Sequence, residues 1–372
     1  MKPPNSRRRV GRIANAAPPS AEQLVERLFG AVLGFGDVYL VYVGDRLGLY
    51  RALADEGLAN APALAAATQA DPRYVREWLE QQAVTGIVEV DDAERAPDER
   101  RYSLPAEHAE VLLDRDSLNY MSAFLRMMVG MVRPLPEVLT AFRDGGGVAY
   151  AEYDADFVEG QGDANRVQFV NALSDWFAAV PDVDARLRAE PAARVADVAC
   201  GTGWSSLAIA RAYPKVRVDG FDLDEESIRI AQVNLAESGL DDRVRFEVRD
   251  AAELAGAGYD LVTVFEAVHD LSRPVEVLRA LRALLADDGS VVVADERAAE
   301  RFAAPGDELE RILYVWSVLH CLPVGMAEQP SAGTGTAMRP DTLRGYAEEA
   351  GFGAFEILPI ENDFWRFYRL RP

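Results

Sequence analysis

Strand-like and helix-like stretches alternate from Arg194 to the end of the chain, and this alternation limits the possible folds more than any other feature. Short runs rich in β-branched residues lie at 194–200, 216–222, 244–248, 259–265 and 290–295, with helical spacing between them. Such alternation predicts a parallel sheet covered by helices on both faces, a doubly wound α/β fold. The last apolar runs, 354–360 and 364–370, flank a polar stretch and predict a closing antiparallel hairpin.

The first third of the chain has a helical pattern instead. Residues 21–54 predict two helices that are apolar on more faces than a lone surface helix would be. Residues 63–68 and 71–90 predict a helix, a turn, a second helix capped by Asp71 with Pro72 at its first position, and a strand. The segment 101–104 can pair back onto that strand. This order is that of a winged helix.

These patterns divide the chain into four segments. We expect a disordered, arginine-containing tail at 1–20, a mainly helical winged-helix domain at 21–114, a helical connector lining the active site at 115–190, and a ligand-binding α/β domain at 191–372. The apolar excess of the first two helices needs a cover, and we expect a second copy of the chain to supply it in a homodimer.

Charge and composition favour a small-molecule substrate. The formal net charge is −22, which disfavours nucleic acid as a partner, and the arginines of the second winged-helix helix, Arg73 and Arg76, are matched by Glu77 and Glu80. No apolar run approaches membrane-spanning length, so we expect no membrane association. The two cysteines suggest neither a disulfide framework nor a metal site, and a cytoplasmic location is expected.

The strongest motif runs from Asp197 through Gly201 to Gly203, at the end of the first strand of the alternating region. Glycines there let the backbone approach a nucleotide-like ligand at the start of the next helix. A dinucleotide fingerprint would have its third glycine where Ser206 stands. The segment resembles motif I of S-adenosylmethionine (SAM)-dependent methyltransferases. The resemblance implies that Gly201 and Gly203 wrap the methionine moiety of SAM, and that Asp197 serves its amino-acid end.

Acids at the next two strand ends fit the same family. Asp222 stands where these enzymes bind the ribose hydroxyls, and the resemblance places Leu223 on the adenine. Asp250 and the backbone amide of Ala251 stand where the adenine edge is bound, and Phe265 ends the fourth strand beside them. The implied fold is a Rossmann-like seven-stranded methyltransferase sheet with a C-terminal hairpin, behind a winged-helix domain of the kind that dimerises small-molecule O-methyltransferases.

His269, in the segment FEAVHDLS, is the candidate catalytic residue. The segment resembles the His-Asp stretch of small-molecule O-methyltransferases, where the histidine deprotonates the acceptor hydroxyl; Leu271 stands where those enzymes often have tryptophan. A helix-start role for His269 is the alternative. Asp295 or Glu296 could orient it. The remaining candidate acceptor-binding residues are Tyr150, Tyr153, Glu296 and Trp316, the last on an apolar helix predicted at 307–320.

The sequence therefore predicts a SAM-dependent methyltransferase that acts on a small organic acceptor, with hydroxyl methylation favoured and no metal. N- or C-methylation by the same fold stays open. A SAM-sensing winged-helix transcription regulator and a nicotinamide-dependent oxidoreductase are the competing classes; the missing basic face disfavours the first, and Ser206 with the terminal hairpin disfavours the second.

Overall fold

The structure is a computed structural model that describes residues 19–256 and 258–372. It separates into two compact units, one ending at Val129 and the other beginning at Gly130. The boundary falls within the segment that the sequence assigned to a connector. Of the predicted tail, residues 1–18 lie outside the described residues, and Ser20 is the N-cap of the first helix.

The first unit is mainly helical. Its helices are α1 (Ala21–Arg46), α2 (Leu49–Glu56), α3 (Ala61–Thr68), α4 (Pro72–Val84), α5 (Ala106–Leu113) and the first part of α6 (Ser122–Met131). Its strands are β1 (Ala59–Asn60), β2 (Glu89–Val90) and β3 (Arg101–Ser103), with β3 antiparallel to both others. The predicted cap is present, since Asp71 Oδ1 accepts from the Arg73 amide at 2.9 Å. The winged-helix prediction is confirmed.

Aromatic packing organises the core of this unit. The Trp78 and Tyr50 rings meet edge to face with centroids 5.0 Å apart, and Trp78 Nε1 donates to the Leu40 carbonyl at 2.9 Å. Gly44 of α1 lies directly over both rings. Helix α1 can pack this closely against the two rings because Gly44 has no side chain.

The second unit contains the seven-stranded sheet. Its further helices are α7 (Leu135–Asp144), α8 (Ala155–Ala178), α9 (Pro181–Arg188), α10 (Trp204–Ala212), α11 (Glu225–Ser238), α12 (Pro274–Leu284), α13 (Glu308–Trp316), α14 (Leu322–Gly325) and α15 (Pro340–Glu349). Its strands are β4 (Arg194–Val198), β5 (Arg217–Asp222), β6 (Val244–Val248), β7 (Tyr259–Phe265), β8 (Leu285–Glu296), β9 (Ala354–Ile357) and β10 (Trp365–Arg371).

The strand order is β6-β5-β4-β7-β8-β10-β9. The first five strands are parallel, and β10 runs antiparallel between β8 and β9, with Tyr368 opposite Ile357. Apolar cores cover both faces of the sheet. The predicted doubly wound sheet and terminal hairpin are confirmed. The order reverses between β4 and β7, and crevices for ligands form at that kind of switch point, beyond the carboxyl ends of the strands.

No helix in the described part of the chain is both long and apolar enough to cross a membrane.

Two glycines of α1 give a matched test of the packing in the first unit. A Cβ at Gly44 would lie 2.5 Å from both the Trp78 and Tyr50 rings, so Gly44→Ala should lower the free energy of unfolding by about 1–3 kcal/mol. Gly30→Ala meets nothing within 4 Å and should raise it by about 0.5–1 kcal/mol. Urea unfolding followed by circular dichroism measures both, and equal stability of the two variants would contradict the packing described here.

Candidate active site

The glycine loop after β4 holds an unusual backbone. Ala199 and Gly201 have φ of 56° and 52°, and Gly203, which begins α10, has φ of 82°. A Cβ on Gly203 would lie 2.5 Å from the Phe246 ring. A glycine is therefore required at Gly203 both for its left-handed conformation and for the close approach of β6.

Asp197 lies beneath this loop rather than in front of it. Its Oδ2 accepts from the Ser205 and Ser206 hydroxyls at 2.6 Å each, and its Oδ1 accepts from Thr263 Oγ1 at 2.7 Å. Burial raises the pKa of Asp197, and the three hydroxyls lower it in part. The carboxylate thus ties β4 to α10 and β7. The structure does not place Asp197 among the described residues that line the cavity in front of the loop.

That cavity has a volume of about 480 Å³. Sites for small molecules usually enclose about 300–1,000 Å³. It brings together most of the residues predicted to bind SAM, namely Gly201, Asp222, Leu223, Asp250, Ala251 and Phe265, and one predicted acceptor residue, Tyr150. Gly203, Tyr153, His269, Glu296 and Trp316 are not among its lining residues.

Asp222 ends β5 and faces the cavity. Its Oδ2 accepts from the Gly201 amide at 2.8 Å and its Oδ1 from the Asp224 amide at 2.9 Å. Each oxygen keeps a second lone pair for a ligand hydroxyl. Burial raises the pKa of Asp222 to about 6. Asp224 instead caps α11, since its side chain accepts from the Ser227 amide.

The loop after β6 carries the second acid of this edge. Asp250 Oδ1 accepts from the Ala252 amide at 2.8 Å, and its Oδ2 lies 3.3 Å from an Arg273 Nη2. The first of these bonds fixes the turn that presents Ala251 to the cavity. Leu223 is 61% exposed, so its side chain is available to cover a ligand.

His269 lies in a buried cluster of charged groups beyond the end of β7. Its Nδ1 is 2.7 Å from Asp295 Oδ1 and 3.0 Å from Glu296 Oε2. The two carboxylates raise the pKa of His269 well above its usual value, although burial opposes them. The expected contact between His269 and the acids ending β8 is therefore present. Its neighbours Ala267 and Asp270 line the cavity.

The same cluster is the one group in the described part of the chain whose side chains could ligate a metal ion, with ligand atoms within 4.8 Å of one another. Imidazole and carboxylate are acceptable ligands for several divalent ions. The hydrogen bond between His269 and Asp295 accounts for the cluster without an ion. That the protein uses no metal stays a prediction.

A second histidine, His320, is packed among aromatic rings. Its ring centroid lies 4.2 Å from that of Phe157, 4.5 Å from Tyr153 and 5.7 Å from Tyr150. Tyr153 also donates to the Leu319 carbonyl at 2.8 Å. Burial lowers the pKa of His320 to about 3, so the ring is neutral. It lies in a π-helical turn, Ser317–Cys321, which directly follows Trp316 at the end of α13.

Among the cavity residues that sequence reasoning missed are three polar ones, Asn165, Glu266 and Asp270. Asn165 comes from α8, while Glu266 and Asp270 follow β7. Burial raises the pKa of Asp270 to about 7. Glu266 could have been found by the rule that identified Asp222 and Asp250, because it too is an acid directly after a buried strand. Asn165 carries no such signal, since it is one polar residue within a long helix.

Models of known families match two parts of the chain. A model described as a methyltransferase domain matches residues 189–321. A model described as an Rv2258c-like winged HTH domain matches residues 38–114.

Among curated proteins, the chain is similar to ubiquinone biosynthesis O-methyltransferases. It is 30% identical over 172 residues to the protein of Ralstonia nicotianae, which covers 45% of this chain and 66% of that relative. It is 29% identical over 182 residues to the protein of Stutzerimonas stutzeri, which covers 48% of this chain and 72% of that relative. The chain thus spans about two thirds of the length of these relatives.

Solved structures resemble the chain over most of its length. Mitomycin 7-O-methyltransferase MmcR has a TM-score of 0.68 at 21% identity, covering 95% of this chain and 99% of that one. PigF with SAH has a TM-score of 0.70 at 20% identity, covering 95% and 100%. Human N-acetylserotonin methyltransferase in complex with SAM has a TM-score of 0.64 at 18% identity, covering 95% and 99%. Likeness at such identities concerns the fold.

The raised pKa of Asp222 predicts a pH-dependent site. If the carboxylate accepts bonds from ligand hydroxyls, affinity for SAM should be full above the pKa of about 6 and fall as pH drops below it. Asp222→Asn should weaken binding by about 1–3 kcal/mol and remove the part of the pH dependence that comes from Asp222. Calorimetric titration between pH 5 and pH 8 measures both effects. An unchanged pH profile in Asp222→Asn would contradict the assignment.

Proposed function

We propose that this chain, which belongs to the SAM-dependent methyltransferases, transfers a methyl group from SAM to a hydroxyl of a small organic acceptor in secondary metabolism. The observation that carries the proposal is the placement of His269, anchored through Nδ1 by Asp295 directly beyond the cofactor cavity. A hydroxyl is the acceptor that benefits most from a base at that point, because its proton must leave as the new bond forms.

The cavity fits SAM by its chemistry. Asp222 would accept from the vicinal diol of the ribose, the turn of Asp250 and Ala251 would present a carboxylate and a backbone to the adenine edge, and the glycine loop would admit the methionine chain. When bound, SAM supplies an electrophilic methyl group on a sulfonium that leaves as a neutral thioether. The residues of this chain then have to position the acceptor and exclude water.

The contacts of His269 define which nitrogen acts. A carboxylate only accepts hydrogen bonds, so the imidazole proton lies on Nδ1 and is donated to Asp295 Oδ1. Nε2 is the nitrogen that would take the acceptor proton, on a ring that also has the Cys321 side chain as a hydrogen-bond neighbour. Because the carboxylates raise the pKa of His269, the neutral base becomes more abundant as pH rises, and the reaction should be favoured on the alkaline side of neutrality.

Polar atoms near His269 support an acceptor site there. Asp295 Oδ2, His320 Nε2 and Thr336 Oγ1 are buried and have no hydrogen-bond partner among the described residues. The segment after α14 connects them, since the Gly335 amide donates to the His269 carbonyl and the Thr336 amide to Ser317 Oγ. Buried polar atoms of this kind usually find a partner, and the proposed acceptor provides one. The rings around His320 would enclose an aromatic body.

The alternatives have less support. N- or C-methylation would use the same cofactor cavity but would not need His269 as a base. A role as a transcription regulator would need a basic α4, yet on that helix Arg73 pairs with Glu77, and Arg76 pairs with Asp98 of the segment between β2 and β3.

We also propose that the winged-helix segment, 21–114, dimerises the protein. Helix α1 exposes a continuous apolar stripe, including Val25, Leu28, Phe29 and Val32, whose side chains are 54–66% exposed in the single chain. Spacings of three and four residues place them on one face. A contiguous exposed apolar face is typical of an interface.

The free state of Cys200 and Cys321 is compatible with the proposed cytoplasmic location.

The function is tested first with SAM and then with an acceptor. The purified protein should bind SAM and its demethylated product in calorimetric titration, and a panel of phenols should yield an acceptor whose methylation is followed by mass spectrometry. His269→Gln should keep SAM affinity within a few-fold and lower kcat/KM by about 10²–10⁴. Full turnover in that variant would remove His269 as the base.

A second variant, at Asp295, tests His269 as the base through the pH dependence of kcat/KM. Asp295→Asn removes a charge that raises the pKa of His269, so the limb on which kcat/KM rises with pH should move to lower pH. Asp288→Asn, at an exposed acid near the start of β8, is the matched control and should leave the limb in place. A shift in both variants, or in neither, speaks against a His269–Asp295 pair in the reaction.

The oligomeric state in solution tests whether the apolar stripe of α1 is a dimer interface. Light scattering on a sizing column should find a dimer for the natural chain and a monomer for the double variant Phe29→Asp with Val32→Asp, because two charges would be buried in the interface. Val84→Asp, at an isolated exposed residue that ends α4, should stay dimeric. A natural chain that is monomeric at micromolar concentration would refute the dimer.

A further inference from the structure

Glu266 is held in an uncommon position at the end of β7. Its φ is 52°, a left-handed conformation that is unfavourable for a residue with a Cβ. The Glu266 amide donates to the Ala294 carbonyl of β8 at 2.8 Å, which fixes this backbone. The side chain lines the cofactor cavity. A strained residue in the wall of a cavity indicates a function in ligand binding.

Each oxygen of the Glu266 carboxyl group accepts a hydrogen bond from a side chain. Oε1 accepts from Trp365 Nε1 and Oε2 accepts from Asn165 Nδ2, and both donors are neutral. Burial raises the pKa of Glu266, while these donors and His269 lower it. His269 is already engaged by Asp295 and Glu296. Each Glu266 oxygen retains accepting capacity, so the carboxylate can still bind a cation from the cavity.

The strand order locates Glu266 at one end of the cavity. Along β6, β5, β4 and β7 the edge presents Asp250, Asp222, the glycine loop and then Glu266. The first two acids suit an adenosine. Glu266 lies two strands beyond Asp222, roughly 10 Å away at ordinary strand spacing. This is the end that an amino-acid chain would reach.

Two other acids are poorer candidates at that end. Asp197 has its oxygens filled by Ser205, Ser206 and Thr263, and it does not line the cavity. Asp270 also lines the cavity and interacts with His269, Asp295 and Asp222, but no side-chain donor among the described residues orients it as Asn165 and Trp365 orient Glu266.

We propose that Glu266 binds the α-ammonium group of the methionine moiety of SAM and of its demethylated product, S-adenosylhomocysteine. The proposal rests on the proposed function, since it assigns a residue within the same cofactor site. Asn165 and Trp365 are positioning residues that aim the carboxylate. The left-handed backbone turns the side chain toward the cavity, where a bound ammonium compensates its charge.

Two ligands separate this role from a structural one. S-adenosylhomocysteine and 5′-methylthioadenosine are both neutral at sulfur and share the adenosine, but only the first carries an ammonium. Calorimetric titration of Glu266→Gln should show S-adenosylhomocysteine weakened about 10- to 100-fold and 5′-methylthioadenosine unchanged. Asp222→Asn is the matched control and should weaken both ligands by the same factor.

The outcomes are separable. If Glu266→Gln keeps the affinity for S-adenosylhomocysteine, or loses both ligands equally, the proposal is overturned while the cofactor assignment stands. If the natural chain binds neither ligand, the proposed function itself fails. Should Glu266→Gln not fold, Glu266→Asp retains the charge with a shorter reach, and it should weaken S-adenosylhomocysteine selectively by a smaller factor. Equal weakening of both ligands in Glu266→Asp would again overturn the proposal.

Discussion

The buried carboxylate of Asp197 holds together the elements that surround the cavity. It accepts hydrogen bonds from the first turn of α10 and from the middle of β7 while belonging to β4. A carboxylate without solvent is costly unless its oxygens are filled, and three hydroxyls fill these. The glycine loop runs directly above this network. Its left-handed residues can keep their geometry because the strand before them and the helix after them are joined underneath.

Charge distribution is the second constraint on the site. The carboxyl edge of the sheet carries several buried or partly buried acids, among them Asp222, Glu266, Asp270 and Asp295, and the raised pKa of His269 favours a cation among them. Burial disfavours each charge, so the pKa values of Asp222 and Asp270 rise to about 6 and 7. A cationic ligand relieves this cost. The excess of acid thus agrees with a cofactor that carries a sulfonium and an ammonium.

Much of the fold and part of the site could be predicted from the sequence. The alternation after Arg194 predicted the sheet, and the rule that ligands bind beyond parallel strands selected Asp222 and Asp250, which do line the cavity. Placing Asp295 and Glu296 on the same edge anticipated their contact with His269. The sequence assigned Asp197 to the amino-acid end of the cofactor and did not predict its hydrogen bonds with hydroxyl groups. One of these partners, Thr263, lies 66 residues further along the chain. Glu266 was missed because its left-handed backbone leaves no trace in composition.

The sequence by itself determined the order of strands and helices, the winged helix with its Asp71 cap, and the glycine loop, because these depend on local periodicity and on conformations that few residue types adopt. Only the tertiary structure decided which buried polar groups share an environment. It brought Trp365 and Asn165 to Glu266, Asp295 to His269, and the hydroxyls to Asp197, and it removed water from all of them. Those pairings set the protonation and direction of each group. They arise from distant segments packed in a low-dielectric interior, where a neighbour across the sheet matters more than a neighbour along the chain.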